Sequence, residues 1–237
     1  MVSVRVGAAT DVGRLRRENQ DAYLVGRDLW LVADGMGGQA AGADASAFAV
    51  EEFEALDAES PMSVEAILTG VANANERLLS EGRRHRQLYG MGTTVTGVVA
   101  IDDTTWAVFN VGDSRTYHYL GGRLQQLTID HSAVQELVDA GLLDPVAALT
   151  HPRRNIVTRS LGTRPGPEPD VWQRPIEPGE RFVICSDGLT NELVDAEIAQ
   201  VIRDNLDPQA AADELVARAV AEGGRDNVTV IVLNVDA

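Results

Sequence analysis

Four aspartates stand at the ends of four apolar runs, each in a turn marked by Gly or Asn. They are Asp34 in LWLVADGMGG, Asp113 in VFNVGDSR, Asp187 in FVICSDG and Asp226 in GGRDNVTVIVL. A β-strand that ends in a carboxylate carries that carboxylate to the rim of a sheet. Taken singly, each Asp-Gly or Asp-Asn pair is an ordinary turn. Four of them bounding apolar strands suggest rims that converge, and converging buried acids repel one another unless cations sit between them. Carboxylates, a glycine carbonyl and water are hard oxygen donors suited to Mg²⁺ or Mn²⁺. The chemistry this points to is metal-assisted attack on an anion, most simply a phosphate.

A cation for that anion lies in the segment Thr10–Asp21. Arg16 or Arg17 offers a planar fork that matches two phosphate oxygens, the alternative being an ion pair with Glu18 or Asp21. Asp21, at a strand start, is placed to orient a metal-bound water from behind the ligands. The four histidines (His85, His118, His131, His151) are scattered without an HExxH pair, so zinc is disfavoured and each reads as structural or surface. Cys185 sits at a strand end, yet the position six residues on is Asn191. The C-x₅-R loop of a cysteine phosphatase is therefore missing, and the thiol reads as a packing group.

These groups need a frame. Val2–Ala8, Ala22–Val25 and Leu29–Ala33 read as strands. Ala45, Phe48, Ala49, Phe53 and Leu56 share one helical face, as do Ile67, Val71, Ala74 and Leu78, with a break at Ser60-Pro61. Thr93–Ile101, Thr105–Val111, Arg115–Leu120 and Arg123–Leu127 are spaced as an antiparallel meander, turning at Asp102-Asp103, Asp113-Ser114 and Gly121-Gly122. Ser132–Ala140 reads as a short helix, and Gly141–Pro169 as an aperiodic surface excursion. Strands at Val171–Ile176 and Arg181–Cys185 precede two helices, one around Ile198, Val201 and Ile202 and one opened by Asp207-Pro208 as N-cap and N1. Val228–Val235 is the last strand. Strand runs with helix pairs in two places imply an α+β fold, two antiparallel sheets stacked in an α-β-β-α sandwich.

The bulk properties narrow the function classes. The 237 residues fit one domain, and 44% hydrophobic residues suffice for a core. A net charge of −16 argues against nucleic-acid or anionic-membrane partners. All 20 basic residues are arginine, which excludes P-loop, kinase and Schiff-base chemistry, each of which needs a lysine. One cysteine permits no intrachain disulfide and suits a reducing cytoplasm. Neither a membrane span nor a secretory leader is expected, and nothing demands more than a monomer.

Several motifs, in order, resemble the metal-dependent protein phosphatases (PPM, type 2C), above all their compact bacterial members. They are Asp11-x-Gly13-x-x-Arg16-x-x-Asn19-Gln20-Asp21, Asp34-Gly35-Met36-Gly37-Gly38, Gly90-Met91-Gly92-Thr93-Thr94, Gly112-Asp113-Ser114-Arg115, Ser186-Asp187-Gly188 and Asp226-Asn227. The resemblance implies hydrolysis of phosphoserine and phosphothreonine in proteins by a water bridging two Mn²⁺ or Mg²⁺ ions, opposing Ser/Thr kinases. It implies that Asp34 bridges the metals, that Gly35 gives its carbonyl, that Asp187 and Asp226 complete the pair and that Arg16 holds the phosphate. Asp113 with Asp187 matches a third, weaker metal site, and 141–169 matches a flap beside the active site. Two positions depart from patterns seen in the family: Gln20 where many members have Glu, and Met36 where eukaryotic-type members place a proposed general-acid histidine. Those departures keep in play a catalytically weak metal-binding module that recognises phosphoproteins; a small-molecule metal phosphoesterase is a third reading.

Overall fold

The computed structural model describes residues 3–38, 41–59 and 61–236, so Val2 of the expected first strand and Ser60 of the helix break lie outside the described residues. The first sheet pairs, in order, β1 (Val4–Asp11), β11 (Val228–Val235), β10 (Arg181–Cys185), β7 (Arg115–Leu120) and β8 (Arg123–Gln126). The second runs β2 (Asp21–Val25), β3 (Leu29–Met36), β5 (Val95–Asp102), β6 (Thr105–Val111) and β9 (Asp170–Pro175), with the short β4 (Gly92–Thr93) on β3. All pairings within both sheets are antiparallel.

Side-chain alternation assembles the layers. On β3, Leu29 and Leu31 face α1 (Ala41–Glu59) and α2 (Val64–Arg84), where Phe53, Ile67, Val71 and Leu78 meet them. Trp30 and Val32 face the other way, joining Trp106, Val108, Phe182, Ile184 and Ile231 between the sheets. The far face of the first sheet (Val183, Cys185, Val230, Val232) is covered by Ile198, Val201 and Ile202 of α6 (Asp195–Asp204) and by Ala211 and Leu215 of α7 (Pro208–Glu222). The layering is therefore α-β-β-α, with both faces of each sheet buried. That explains why the central strands are mostly apolar on both faces, with the few buried polar residues among them, such as Thr96, Asn110 and Thr229, hydrogen-bonded. Asp207 caps α7, accepting from the Ala210 amide at 2.9 Å, with Pro208 in the first turn.

The expected meander is where the structure differs. β5 and β6 form a hairpin in the second sheet, whereas β7 and β8 form one in the first, so Gly112–Ser114 is a crossing between sheets and not a turn within one. Both edges of β6 are taken, one by β5 and the other by β9. β7 instead pairs with β10 and reaches back to β5 face to face, through Thr116 Oγ1 to Thr96 Oγ1 at 3.0 Å and Ser114 Oγ to Thr94 Oγ1 at 2.7 Å. The remaining helices are α3 (Ala133–Asp139), α4 (Pro145–Ala148) and α5 (Asp187–Thr190).

One buried acid belongs to this frame. Glu180 is fully buried and accepts from Trp106 Nε1 at 2.6 Å and the Glu177 amide at 2.8 Å, while His118 Nε2 lies 2.8 Å and Arg174 3.8 Å from its other oxygen. Glu180→Ala strands these partners, and the expected cost in urea unfolding is about 3–5 kcal/mol, the range for breaking a buried charged pair.

Candidate metal centre

The pairings bring the four acids to one end of the sandwich. Asp34 lies inside β3, which runs on to Met36, and not just past a strand ending at Ala33. Directly opposite Asp34 in the β2–β3 pair stands Asp21. Asp113 follows β6, and Asp187 follows β10 as the first residue of α5. Asp226 precedes β11, whose start is antiparallel to the end of β10, with Val230 opposite Cys185. β3 packs across both β10 and β11, so the carboxylates of the two sheets meet.

Their mutual field is strong. Burial, then Asp21, Asp187, Asp113 and Asp226, push the Asp34 carboxyl well above its ordinary value. Burial also raises Asp187, with Asp226 adding to it and hydrogen bonds with Asn191 and Asp34 opposing. Asp113 is pushed up to about 8 by burial and by Asp187 and Asp130, against the opposing charge of Arg115. Asp21 rises to about 7, chiefly by burial, although Ser186 and Thr229 hydrogen-bond to it. Its Oδ2 accepts from Ser186 Oγ at 2.7 Å, while its buried Oδ1 has no partner. An orphaned carboxylate oxygen within a ring of five acids is a donor set that fits hard divalent cations.

The surrounding backbone is held closely. Asp34 is fixed by Thr94, whose Oγ1 accepts from its amide at 3.0 Å, and by Thr93, whose Oγ1 donates to its carbonyl at 2.9 Å. At Gly35 a Cβ would lie 2.0 Å from the Gly42 carbonyl oxygen and 2.6 Å from that of Gln20, so only glycine lets β2, β3 and α1 meet here. Gly13 has a φ of +75°, and a Cβ there would strike the Asp226 carbonyl at 2.2 Å. This contact brings the Arg16 loop against Asp226. Asn227 stitches the two together, donating to the carbonyls of Val12 at 2.9 Å and Glu18 at 3.0 Å and accepting from the Gln20 amide at 2.9 Å.

Half-exposed Arg16 donates from its guanidinium to Asp226 Oδ2 at 2.6 Å. Its partner is neither Glu18 nor Asp21 but an acid 210 residues away. Thr94, Ser186, Asn227 and the Arg115–Asp130 pair, whose closest contact is 2.6 Å, support the centre but carry no rim-carboxylate signal in the sequence. Asn227 and Ser186 sit in the quoted motifs, where adjacency to Asp226 and Asp187 was the available clue.

Burial pushes the Cys185 thiol up to about 12, so it is no thiolate nucleophile. His118, Glu177 and Glu180 also come together, but Arg174 lies among them, 3.2 Å from Glu177, and supplies the compensating charge. Among the described residues no helix is long and apolar enough to cross a membrane.

The fold is a two-sheet sandwich flanked by helices, and one end carries an oxygen-rich acid cluster with an arginine beside it, a donor set that fits hard divalent cations. The chain belongs to the protein phosphatase 2C family, whose sequence model matches residues 16–221. It is 35% identical over 236 residues, 98% of its length, to the serine/threonine protein phosphatase PstP of Mycobacterium tuberculosis, and spans 45% of that protein. It is 34% identical over 238 residues to the serine/threonine phosphatase stp of Listeria monocytogenes, covering 96% of this chain and 94% of that one. The crystal structure of the catalytic domain of PstP in complex with two manganese ions superposes with a TM-score of 0.92 at 32% identity, over 100% of both chains.

Proposed function

We propose that this chain forms one catalytic domain that hydrolyses phosphoserine and phosphothreonine monoesters in proteins. The observation that carries the reading is the convergence of Asp34, Asp187, Asp226, Asp113 and Asp21 beside Arg16. The names of the PstP and stp relatives, and the two manganese ions in the PstP structure, support it.

Asp34, the Gly35 carbonyl, Asp187 and Asp226 would hold two Mn²⁺ or Mg²⁺ ions, and Asp113 with Asp187 a third. Bound there, the cations would acidify a water and offset the charge that develops on the phosphoryl oxygens. The chain's own groups do the rest. Asp21, fixed by Ser186, stands behind the centre as an acceptor. Arg16 exchanges Asp226 for the phosphate dianion, which orients the ester for in-line attack. The segment 141–169, with Leu142, Val146 and Leu149 exposed, is the flap along which a phosphoprotein is met. Met36 offers no proton, so protonation of the leaving oxygen falls to water or to another group. Substrates of this chemistry include phosphorylated Ser/Thr kinases, and a cytoplasmic monomer suffices to act on them.

The test is phosphate release from a phosphothreonine peptide with Mn²⁺ and with excess chelator, with sugar phosphates and nucleotides in parallel. Peptide turnover that chelation abolishes supports the reading, whereas preference for the small phosphates would replace it with a general phosphoesterase. Arg16→Ala is expected to raise KM for the peptide by about tenfold, a loss of about 1.4 kcal/mol, with a smaller change in kcat. Steady-state kinetics on the peptide separates the two constants.

A further inference from the structure

His131 is a buried, fully engaged ring that the proposed chemistry does not use. It is 7% exposed, and it clamps Gly112, the residue before Asp113, from both sides. Its Nδ1 accepts from the Gly112 amide at 2.9 Å, and its own amide donates to the Gly112 carbonyl at 2.9 Å. Gly112 sits at φ +116°, and a Cβ there would strike the Thr94 side chain at 2.5 Å, so this turn has one tight conformation to hold. On the other edge of the ring, Nε2 lies 3.2 Å from Asp170 Oδ2. Because Nδ1 accepts, the single proton of the neutral ring is on Nε2, aimed at Asp170.

Asp170 opens β9 and is the point where the chain returns from the 141–169 excursion. Arg159, inside that excursion, donates to Asp170 Oδ1 at 2.8 Å and to the Glu168 carbonyl at 3.0 Å. The His131 carbonyl accepts from the Thr158 amide at 2.8 Å, and Ser132 bridges Val157. One residue therefore ties the returning limb of the excursion, at Thr158 and Asp170, to the turn that carries Asp113.

We propose that His131 is a positioning residue that couples the Asp113 turn to the base of the 141–169 segment, so that cation binding at Asp113 and order in the segment depend on one ring. This rests on the reading of Asp113 as a metal ligand. Burial holds the imidazole below its ordinary value, against the pull of Asp170, in keeping with the neutral form that the hydrogen bonds require.

Two variants separate the edges of the ring. In His131→Asn the amide oxygen takes the place of Nδ1 but cannot reach Asp170. In His131→Gln the amide reaches toward Asp170 and leaves the Gly112 amide without its acceptor. Amide hydrogen exchange on metal-free protein and Mn²⁺ titration by calorimetry read the two separately. His131→Asn should speed exchange across 141–169 by about fivefold to tenfold, the worth of one hydrogen bond, and leave the 112–114 turn unchanged. His131→Gln should speed exchange in the turn and weaken the weakest Mn²⁺ site by about tenfold or more. It should spare the segment's exchange more than Asn does. Faster exchange spread evenly over the core in both variants, or no change at either place, overturns the proposal. The exchange arm does not depend on catalysis, so the ring's role and the phosphatase reading fail separately. Exchange as expected with no effect on Mn²⁺ would remove the link to the cation site.

Discussion

Asp34→Asn is expected to abolish phosphate release from a phosphothreonine peptide while making the metal-free protein harder to unfold. Both effects have one cause. Asp34 lies opposite Asp21 and in the fields of Asp187, Asp113 and Asp226, which with burial hold its carboxyl well above the ordinary range. In metal-free protein near pH 8 this arrangement stores repulsion, and an amide of the same shape relieves it. Each kcal/mol so recovered raises Tm by about 2–4 °C in a chain of this size. Removing the acid expected to bridge two cations should cost at least about a thousandfold in kcat/KM, which is about 4 kcal/mol. Mn²⁺ should then stabilise the wild type strongly and the variant hardly at all. Phosphate assays beside thermal unfolding with and without Mn²⁺ check both halves. A variant that is inactive but also less stable without metal would mean that Asp34 is a structural acid.

Removing the metal makes stability pH-dependent in a defined direction. An acid whose folded pKa lies above its unfolded value gives stability that is intact below the unfolded pKa and lost as pH rises toward the folded one. For Asp21 and Asp113 the window runs from the ordinary carboxyl value near 3.8 up to about 7 and about 8 respectively. Metal-free protein should therefore lose Tm between about pH 4 and pH 8, and Asp113→Asn should flatten the upper part of that slope. Cation binding displaces the same protons, so Mn²⁺ affinity should climb with pH through this window and level off above it. Calorimetry in two buffers of different ionisation heat counts the protons released. Equal slopes for wild type and Asp113→Asn, with no proton release on binding, would show that the cluster is not where the cation goes.

What the sequence could tell and what it could not divide along the range of the interactions. The last strand, Val228–Val235, and the α7 cap at Asp207-Pro208 were legible to the residue, because apolar patterning and capping are local. The split of the expected meander was not. Strands buried on both faces show no alternation to reveal which sheet they join, and the choice for β7 was made by β10, some sixty residues on. The acids Asp34, Asp113, Asp187 and Asp226 could be named from strand ends, but their meeting depends on β11 lying beside β10 and across β3. For Arg16 the sequence offered a phosphate-binding role, with Glu18 or Asp21 as the alternative ion-pair partners because only near neighbours are visible there; its partner in the fold is Asp226, brought close by the Gly13 contact. Glu180 gave no signal, and His118 read only as structural or surface, since a buried acid is defined by the distant side chains that satisfy it.

The most direct measurement is the anomalous scattering of manganese in crystals grown with saturating Mn²⁺. Two strong peaks are predicted, ligated by Asp34, Asp187, Asp226 and the Gly35 carbonyl, with any third and weaker peak beside Asp113. Peaks elsewhere, or none at all while these carboxylates stay protonated and hydrogen-bonded to one another, would contradict the account.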